Sequence, residues 1–373
     1  MEAIGIIVEY NPLHNGHLYH LSQAKQHYPD AVVIAVMSGN FLQRGEPALL
    51  DKWTRTQLAL QAGIDLVIEL PYAQAVQKAD QFAWHSVKLL SLLHVQALIF
   101  GSEIGSITPF KLAWQQFQTI DTTQKARPLT LVKSLYETTT NPVFASPNNT
   151  LGFWYFAAQQ QICPQMKIDT ITRKAAAYHD YEFHGTIASA TAIRQGLLAG
   201  WDCQTVVPPY TLSALQTQPH VTWEMLYPNL RHLILTTPLE RLATFGLVSE
   251  GLEHRLFKAA LVATTFTDFI AAIKTKRYTL THLQRVCTHI LTQTTQVELD
   301  LAQEIHHLRL LGASQRGFAY LKSIRDELSI PIMTNLKQQP SLLTKLEHRA
   351  TLSYAPHLYN HEHRRKPLLR EEG

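Results

Sequence analysis

Apolar positions along the chain fall into two kinds of run. Short, nearly continuous blocks rich in β-branched residues occupy 4–8, 31–36, 65–70, 97–100 and 166–171, and read as strands buried on both faces. Between them, apolar residues recur at three-four spacing. Leu18, Leu21 and Ala24 predict a helix over 16–26, and similar patterns predict helices over 49–62 and 73–93. The segment 108–139 reads as helical before loosening into a Thr-rich connection. Ser146-Pro147-Asn148-Asn149 caps a helix running through Trp154, Tyr155 and Ala158. Strand alternating with helix predicts a parallel α/β sheet with right-handed crossovers.

The pattern changes near Trp201. Pro208-Pro209-Tyr210 reads as a linker, and no further buried strand is expected beyond it. Val297, Leu301, Ile305, Leu308 and Leu311 keep helical spacing up to Gly312, and Ser314 opens a helix bearing Phe318, Leu321, Ile324 and Leu328. The expected architecture is a Rossmann-like parallel-sheet domain over 1–205, followed by an α-helical domain over 206–373. The charge run at 361–366 reads as a mobile tail.

At 373 residues with 46% hydrophobic and 17% charged residues, the composition is that of a globular protein with a sizeable core. No run of apolar residues is long enough to span a membrane, and the first residues lead directly into a strand, so a cytoplasmic location is expected. Three cysteines, Cys163, Cys203 and Cys287, lack the spacing of a disulfide framework or a zinc site. The nineteen histidines are dispersed, and no metal site is expected of them. A formal net charge of +4 allows nucleic-acid binding without demanding it.

Candidate chemistry concentrates where the first strand ends. After Ile4, Ile6, Ile7 and Val8 comes the polar turn Glu9-Tyr10-Asn11-Pro12, then a helix start at His14-Asn15-Gly16-His17. A strand, a tight turn and a helix N-terminus make a phosphate cradle, because unpaired amides and the positive dipole end face one point. His14 and His17 stand three apart and can project toward it as paired donors. The loop 37–47, with Gly39, Gly45, Pro47 and Arg44, and Gly101 at the end of the fourth strand also lie where α/β sheets bind ligands. In the later region, Lys274, Lys276, Arg277 and Arg285 form a basic set beside Tyr278. Arg285 stands about 200° around the helix from the buried Leu283, so its charge is expected to be exposed. Basic residues beside an aromatic suit an RNA backbone and a stacked base.

The order His14-Asn15-Gly16-His17 after a first strand resembles the His-x-Gly-His signature of the adenylyl-transferring superfamily that includes class I aminoacyl-tRNA synthetases. There the two histidines are the catalytic pair, stabilising charge on the α-phosphoryl group as pyrophosphate leaves. The stretch 187–194, Ile-Ala-Ser-Ala-Thr-Ala-Ile-Arg, resembles that superfamily's second signature, so Ser189 and Thr191 are implied to hold the β- and γ-phosphates at another helix start. No Lys-rich signature is present. Phosphate charge is therefore left to Arg173, Arg194 or Mg²⁺.

Taken together, Val8 to Pro12, His14 to His17, Met37-Ser38-Gly39, Gln43 to Pro47, 65–71, Phe100 to Glu103, Pro147-Asn148-Asn149, Tyr178-His179-Asp180, 187–194 and Lys276 to Thr279 resemble the bacterial tRNA(Met) cytidine acetate ligases over nearly the full chain. The resemblance implies activation of acetate by ATP to acetyladenylate, then acetylation of the wobble cytidine of elongator tRNA(Met). Implied ATP contacts are Ile7, Val8, Glu9, Tyr10, Asn11, Pro12, Leu13, His14, Asn15, Gly16, His17, Leu18, Tyr19 and His20, with Gly101, Asn148 or Asn149, Arg173 and Lys174. Mg²⁺ is expected to accompany ATP, and the basic set to serve tRNA. The alternatives are an adenylyltransferase that makes a nucleotide cofactor and a non-catalytic RNA-binding protein. The sequence leaves the oligomeric state open.

Overall fold

The computed structural model describes residues 1–119, 141–174, 185–338, 340–358, 361–362 and 365–370. The apolar blocks and helical runs of the first part become β1 (Ala3–Val8), α1 (Asn15–His27), β2 (Val32–Ser38), α2 (Lys52–Ala62), β3 (Leu66–Leu70), α3 (Tyr72–Ala75), α4 (Ala79–Leu92), β4 (Ala97–Ser102), α5 (Thr108–Gln118), α6 (Pro147–Ile162), β5 (Lys167–Thr172) and α7 (Ala190–Leu198). The rest of the helix expected over 108–139, and Tyr178-His179-Asp180, lie outside the described residues. The strands pair in parallel in the order β5-β4-β1-β2-β3. The chain winds outward from β1 to β3, then returns to β4 on the other side. The order therefore reverses between β1 and β4, which opens a crevice at their carboxyl ends.

Helices follow from Pro208: α8 (Pro209–Thr217), α9 (Trp223–Thr236), α10 (Leu239–Leu242), α11 (Leu252–Val262), α12 (Phe266–Ile273), α13 (Leu280–Leu291) and α14 (Gln296–Leu301). The expectation of no later strand is then corrected. β6 (Leu308–Ser314) joins the sheet antiparallel to β3, followed by α15 (Gln315–Ile324), β7 (Ile332–Met333), α16 (Leu342–Tyr354) and β8 (Leu368–Arg370), with β7 and β8 both parallel to β6. The expected helix through Leu311 fails because Val297 and Leu301 are 66% and 69% exposed, whereas residues 308–314 are buried throughout. A short apolar run buried on both faces has no periodicity to separate strand from helix. Gly312 lets α2 approach closely, since a Cβ there would lie 2.7 Å from Thr56 and 2.9 Å from Leu60.

The mobile-tail reading is corrected as well. Glu362 is completely buried, and β8 adds to the sheet just after it. A carboxylate at 0% exposure needs counter-charges that sequence spacing does not reveal. Hydrophobic cores cover both sheet faces, and a third fills the helical part, reaching the sheet through Phe41, Tyr72 and Val76. Cys163, Cys203 and Cys287 are buried free thiols.

Candidate active site

The start of α1 is closed by its own side chains. His14, the N-cap residue, accepts the Gly16 amide at Nδ1 (3.0 Å), while His17 Nδ1 accepts the His14 amide (3.3 Å). The two rings stack at 3.7 Å, with Tyr10 edge-on to His17. Asn15 N donates to Val206 O and His17 N to His14 O. The cradle of unpaired amides expected here is therefore corrected: the amides of 15–17 are already engaged. Because both Nδ1 atoms act as acceptors, the neutral rings carry their proton on Nε2, and the Nε2–H groups are the donors left for a ligand. Gly16 is required by the cap, since a Cβ there would lie 2.8 Å from the His14 ring.

Burial, reinforced by the Arg173 charge, pushes His14 down to about 3 and His20 to about 4. Burial, then His14, Arg173 and His20, hold His17 well below its usual value. All three are neutral near pH 7. His20 Nε2 is buried without a hydrogen-bond partner among the described residues.

The second helix start lies beside the first. Ser189 caps α7 by accepting the Ala192 amide (3.1 Å), which leaves the amides of Ala190 and Thr191 ahead of the first intrahelical bond. Asn15 Nδ2 donates to Thr186 O (2.9 Å) and Thr205 O (3.0 Å), and Ile187 stands over Gly16, so the approach to α7 is tied to α1. Arg194, expected among the phosphate cations, donates to Asn11 O (2.8 Å) and pairs with Glu46 (3.1 Å). It braces the turn after β1.

Across the crevice, Gly101, next to last in β4, lies between Arg173, whose Cγ would lie 3.3 Å from an added Cβ, and His20. The organising residue here is Glu103, which motif reading left without a role. It accepts from Ser146 Oγ and Asn148 Nδ2 (both 2.6 Å), faces Arg173 Nε at 3.6 Å, and donates its amide to Asn149 Oδ1 (2.9 Å). Burial alone would raise this carboxyl, but those hydrogen bonds and Arg173 outweigh it and hold it low. The buried Asn149 thus supports the backbone, while Asn148 and Arg173 share one carboxylate at the crevice edge. Lys174 lies over the Tyr19 ring at 4.3 Å. The sequence signal for Glu103 was its place one residue past the end of a strand.

Glu9 forms the floor toward β2. Its Oε1 accepts from the Gln43 amide (2.7 Å) and Ser38 Oγ (3.3 Å), and burial outweighs these and raises its pKa. Beneath it, the fully buried Arg55 donates to the carbonyls of Leu50, Glu9, Ser38 and Gly39, pinning the ends of β1 and β2 together. Among the described residues no cluster of three His, Cys, Asp or Glu side chains could hold a metal, and no helix is long and apolar enough to cross a membrane.

In the helical part, Lys274, Lys276 and Arg277 are exposed, with Arg277 paired to Glu250. The exposed position expected for Arg285 is corrected. It is 7% exposed because α13 lies between the helical core and the 43–45 loop, leaving no solvent face at that angle.

Comparison with known proteins fits this geometry. A family described as HIGH Nucleotidyl Transferase matches residues 1–367. A tRNA(Met) cytidine acetate ligase of Geobacillus is 43% identical over 95% of this chain and 94% of its own length. That of Halalkalibacterium halodurans is 41% identical over 95% and 92%. The crystal structure of Thermotoga maritima TmcAL bound with alpha-thio ATP superposes with a TM-score of 0.85 at 26% identity, covering 99% of both chains.

Proposed function

The chain belongs to the tRNA(Met) cytidine acetate ligase family of HIGH nucleotidyl transferases, and from that premise we propose that it uses ATP to activate acetate as acetyladenylate, then acetylates the wobble cytidine of elongator tRNA(Met). The observation that carries the adenylation step is the reciprocal His14–His17 cap, which commits both Nδ1 atoms and leaves two Nε2–H donors side by side. These donors would meet the α-phosphoryl oxygens. An acetate oxygen attacks the α-phosphorus, the bond to the bridging oxygen breaks, and pyrophosphate leaves. The hydrogen bonds strengthen as charge builds in the transition state.

Pyrophosphate would rest against the free amides at the head of α7, with Ser189 and Thr191 beside it. Adenosine would lie along Gly101, Asn148 and Arg173, with Lys174 at the edge. That a structurally similar relative was solved with an ATP analogue bound supports ATP as the nucleotide. Mg²⁺ would be carried by phosphate oxygens and water, the usual habit of that ion. The cytidine N4 then attacks the acetyl carbonyl, AMP departs, and the amine loses its proton. With so reactive an anhydride, positioning and exclusion of water do most of what remains. Lys274, Lys276 and Arg277 offer an exposed cationic face for the tRNA backbone.

The test is pyrophosphate exchange into ATP with and without acetate, paired with mass analysis of nucleosides from tRNA(Met). Acetate-dependent exchange and N4-acetylcytidine are expected. Exchange driven only by a phosphate ester would support a cofactor-making adenylyltransferase, and no exchange at all would leave an RNA-binding protein.

A further inference from the structure

Three segments meet where the helical part leans on the crevice. Gly45, at φ +81°, packs so closely on α13 that a Cβ would lie 2.5 Å from Arg285 N, and Thr288 Oγ1 donates to Gly45 O (2.6 Å). Gln43 ties this contact to the site. Its amide holds Glu9, its Nε2 donates to Gln77 O (2.8 Å), and its carbonyl stands 3.5 Å from Arg285 Nη1. Just past Gln77, α4 begins with Lys78 as N-cap and no side chain capping it.

Arg285 is more than nine-tenths buried, reaches Gln43 on one side, feels the charge of Asp80 in the first turn of α4, and has no hydrogen-bond partner for Nε among the described residues. A 3.5 Å contact is a weak bond for Nη1. His282, one turn earlier, also has an unpartnered buried Nε2. Burial pulls Arg285 to about 10 despite the opposing charge of Asp80, and burial with Arg285 and Lys78 pulls His282 to about 4. A guanidinium held out of water with Nε unpartnered and Nη1 on a long contact is costly, and an anion reaching it would satisfy it. A helix start with free amides, a lysine and an unfilled guanidinium edge have the chemistry of a phosphate site.

We propose that the α4 N-terminus, Lys78 and Arg285 form a phosphodiester subsite, which holds a backbone phosphate beside the nucleotide entering the crevice over Gln43. The inference rests on the tRNA reading above and gives Arg285 a buried role. The same chemistry could come from the triphosphate of ATP, but the reading above places that on His14, His17 and the head of α7.

The experiment scans single methylphosphonates through the anticodon stem-loop of tRNA(Met), near the target cytidine. Binding is measured to the full chain and to Lys78→Ala/Arg285→Gln, with the exposed Lys78→Ala alone as a second variant. One position is expected to weaken wild-type binding about tenfold, and the same neutralised phosphate to cost either variant clearly less, since its partner is already gone. Acetate-dependent pyrophosphate exchange and the KM for ATP stay unchanged. Equal methylphosphonate losses in wild type and variants would overturn the subsite and leave Arg285 as a water-bridged partner of Asp80. A raised KM for ATP with intact RNA binding would overturn it in favour of the triphosphate. Wild-type protein that neither binds nor acetylates the stem-loop would instead defeat the tRNA reading, before any variant is compared.

Discussion

Two buried polar clusters in this chain are built on opposite principles. Under Gly39, Lys52 Nζ contacts Glu69 (2.6 Å), Glu347 (2.9 Å) and Glu362 (2.8 Å), with Arg309 at 3.9 Å from both Glu69 and Glu362. Two cations face three carboxylates. Burial and Glu347 raise Glu69 well above its usual value, while Lys52 and hydrogen bonds outweigh burial and hold Glu347 low. In the crevice, burial comes first and the Arg173 charge adds to it in holding His14, His17 and His20 low. The first cluster finds its counter-charges within the protein, although Arg309 Nε and Nη1 and Glu362 Oε2 have no hydrogen-bond partner among the described residues. The second has one carboxylate at its edge, Glu103 on Arg173, and leaves the Nε2–H groups of His14 and His17 as donors for the anion proposed above.

The sharpest break of this comparison is Lys52→Met. Removing the shared cation leaves three buried carboxyl groups with Arg309 alone, at 3.9 Å from two of them, and a loss of about 3–5 kcal/mol in unfolding free energy is expected, on the scale of breaking a buried pair. Urea denaturation reads it directly. A variant within 1 kcal/mol of wild type would mean the cluster is not self-sufficient.

His17→Ala acts on the other side. It removes a donor and one bond of the cap, so stability should fall by only about 1 kcal/mol. Acetate-dependent pyrophosphate exchange should fall roughly a hundredfold or more, the effect of losing one preorganised donor. Exchange at the wild-type rate would take the imidazoles out of the chemistry.

The contrast also explains what could be read from sequence. The crevice was legible because its parts are local: His14 and His17 share one helix turn, and Gly101 is next to last in a strand that the apolar pattern had placed. The balanced cluster was not, since it joins Lys52, Glu69, Arg309, Glu347 and Glu362 from five separate segments, and nothing in their spacing brings them together. β6 was misread for a related reason. Its apolar run fits helix and strand alike, and only pairing with β3 decides between them. Arg285 failed because a helical wheel gives the angle of a side chain but not what packs against that angle. The free-amide cradle failed because His14 itself fills it.

Arg173→Ala sharpens the comparison with a smaller effect. At 44% exposure its side chain contributes little to the core, and its ion pair with Glu103 is at the surface. Folding should be unchanged by circular dichroism, while the KM for ATP rises by about one to two orders of magnitude, matching 1.5–3 kcal/mol for a charged hydrogen bond. An unchanged KM would assign the anion-binding charge elsewhere in the crevice, with Lys174 the next cation to test.

The smallest effect separates the clusters by pH. Imidazoles held below their unfolded value of about 6.5 contribute stability that is fully present above that pH and lost as pH falls toward their folded values. His14 and His20 meet this condition, as do His289 and His307, pushed by burial to about 3 and about 4. Glu347, held low, gives up its share only below the unfolded carboxyl value of about 4.3. Loss between pH 6.5 and 5 therefore belongs to the histidines, at up to about 1.4 kcal/mol per pH unit for each. His14→Gln should make the urea-derived stability profile shallower in that window by about one such increment and leave the steeper fall below pH 4.5 in place. Saturating ATP should flatten the same window in wild type, because an anion over the imidazoles raises their pKa toward the unfolded value. A profile that His14→Gln leaves unaltered would show that the crevice histidines do not stay neutral on folding, and the contrast between an open and a closed cluster would fail with them.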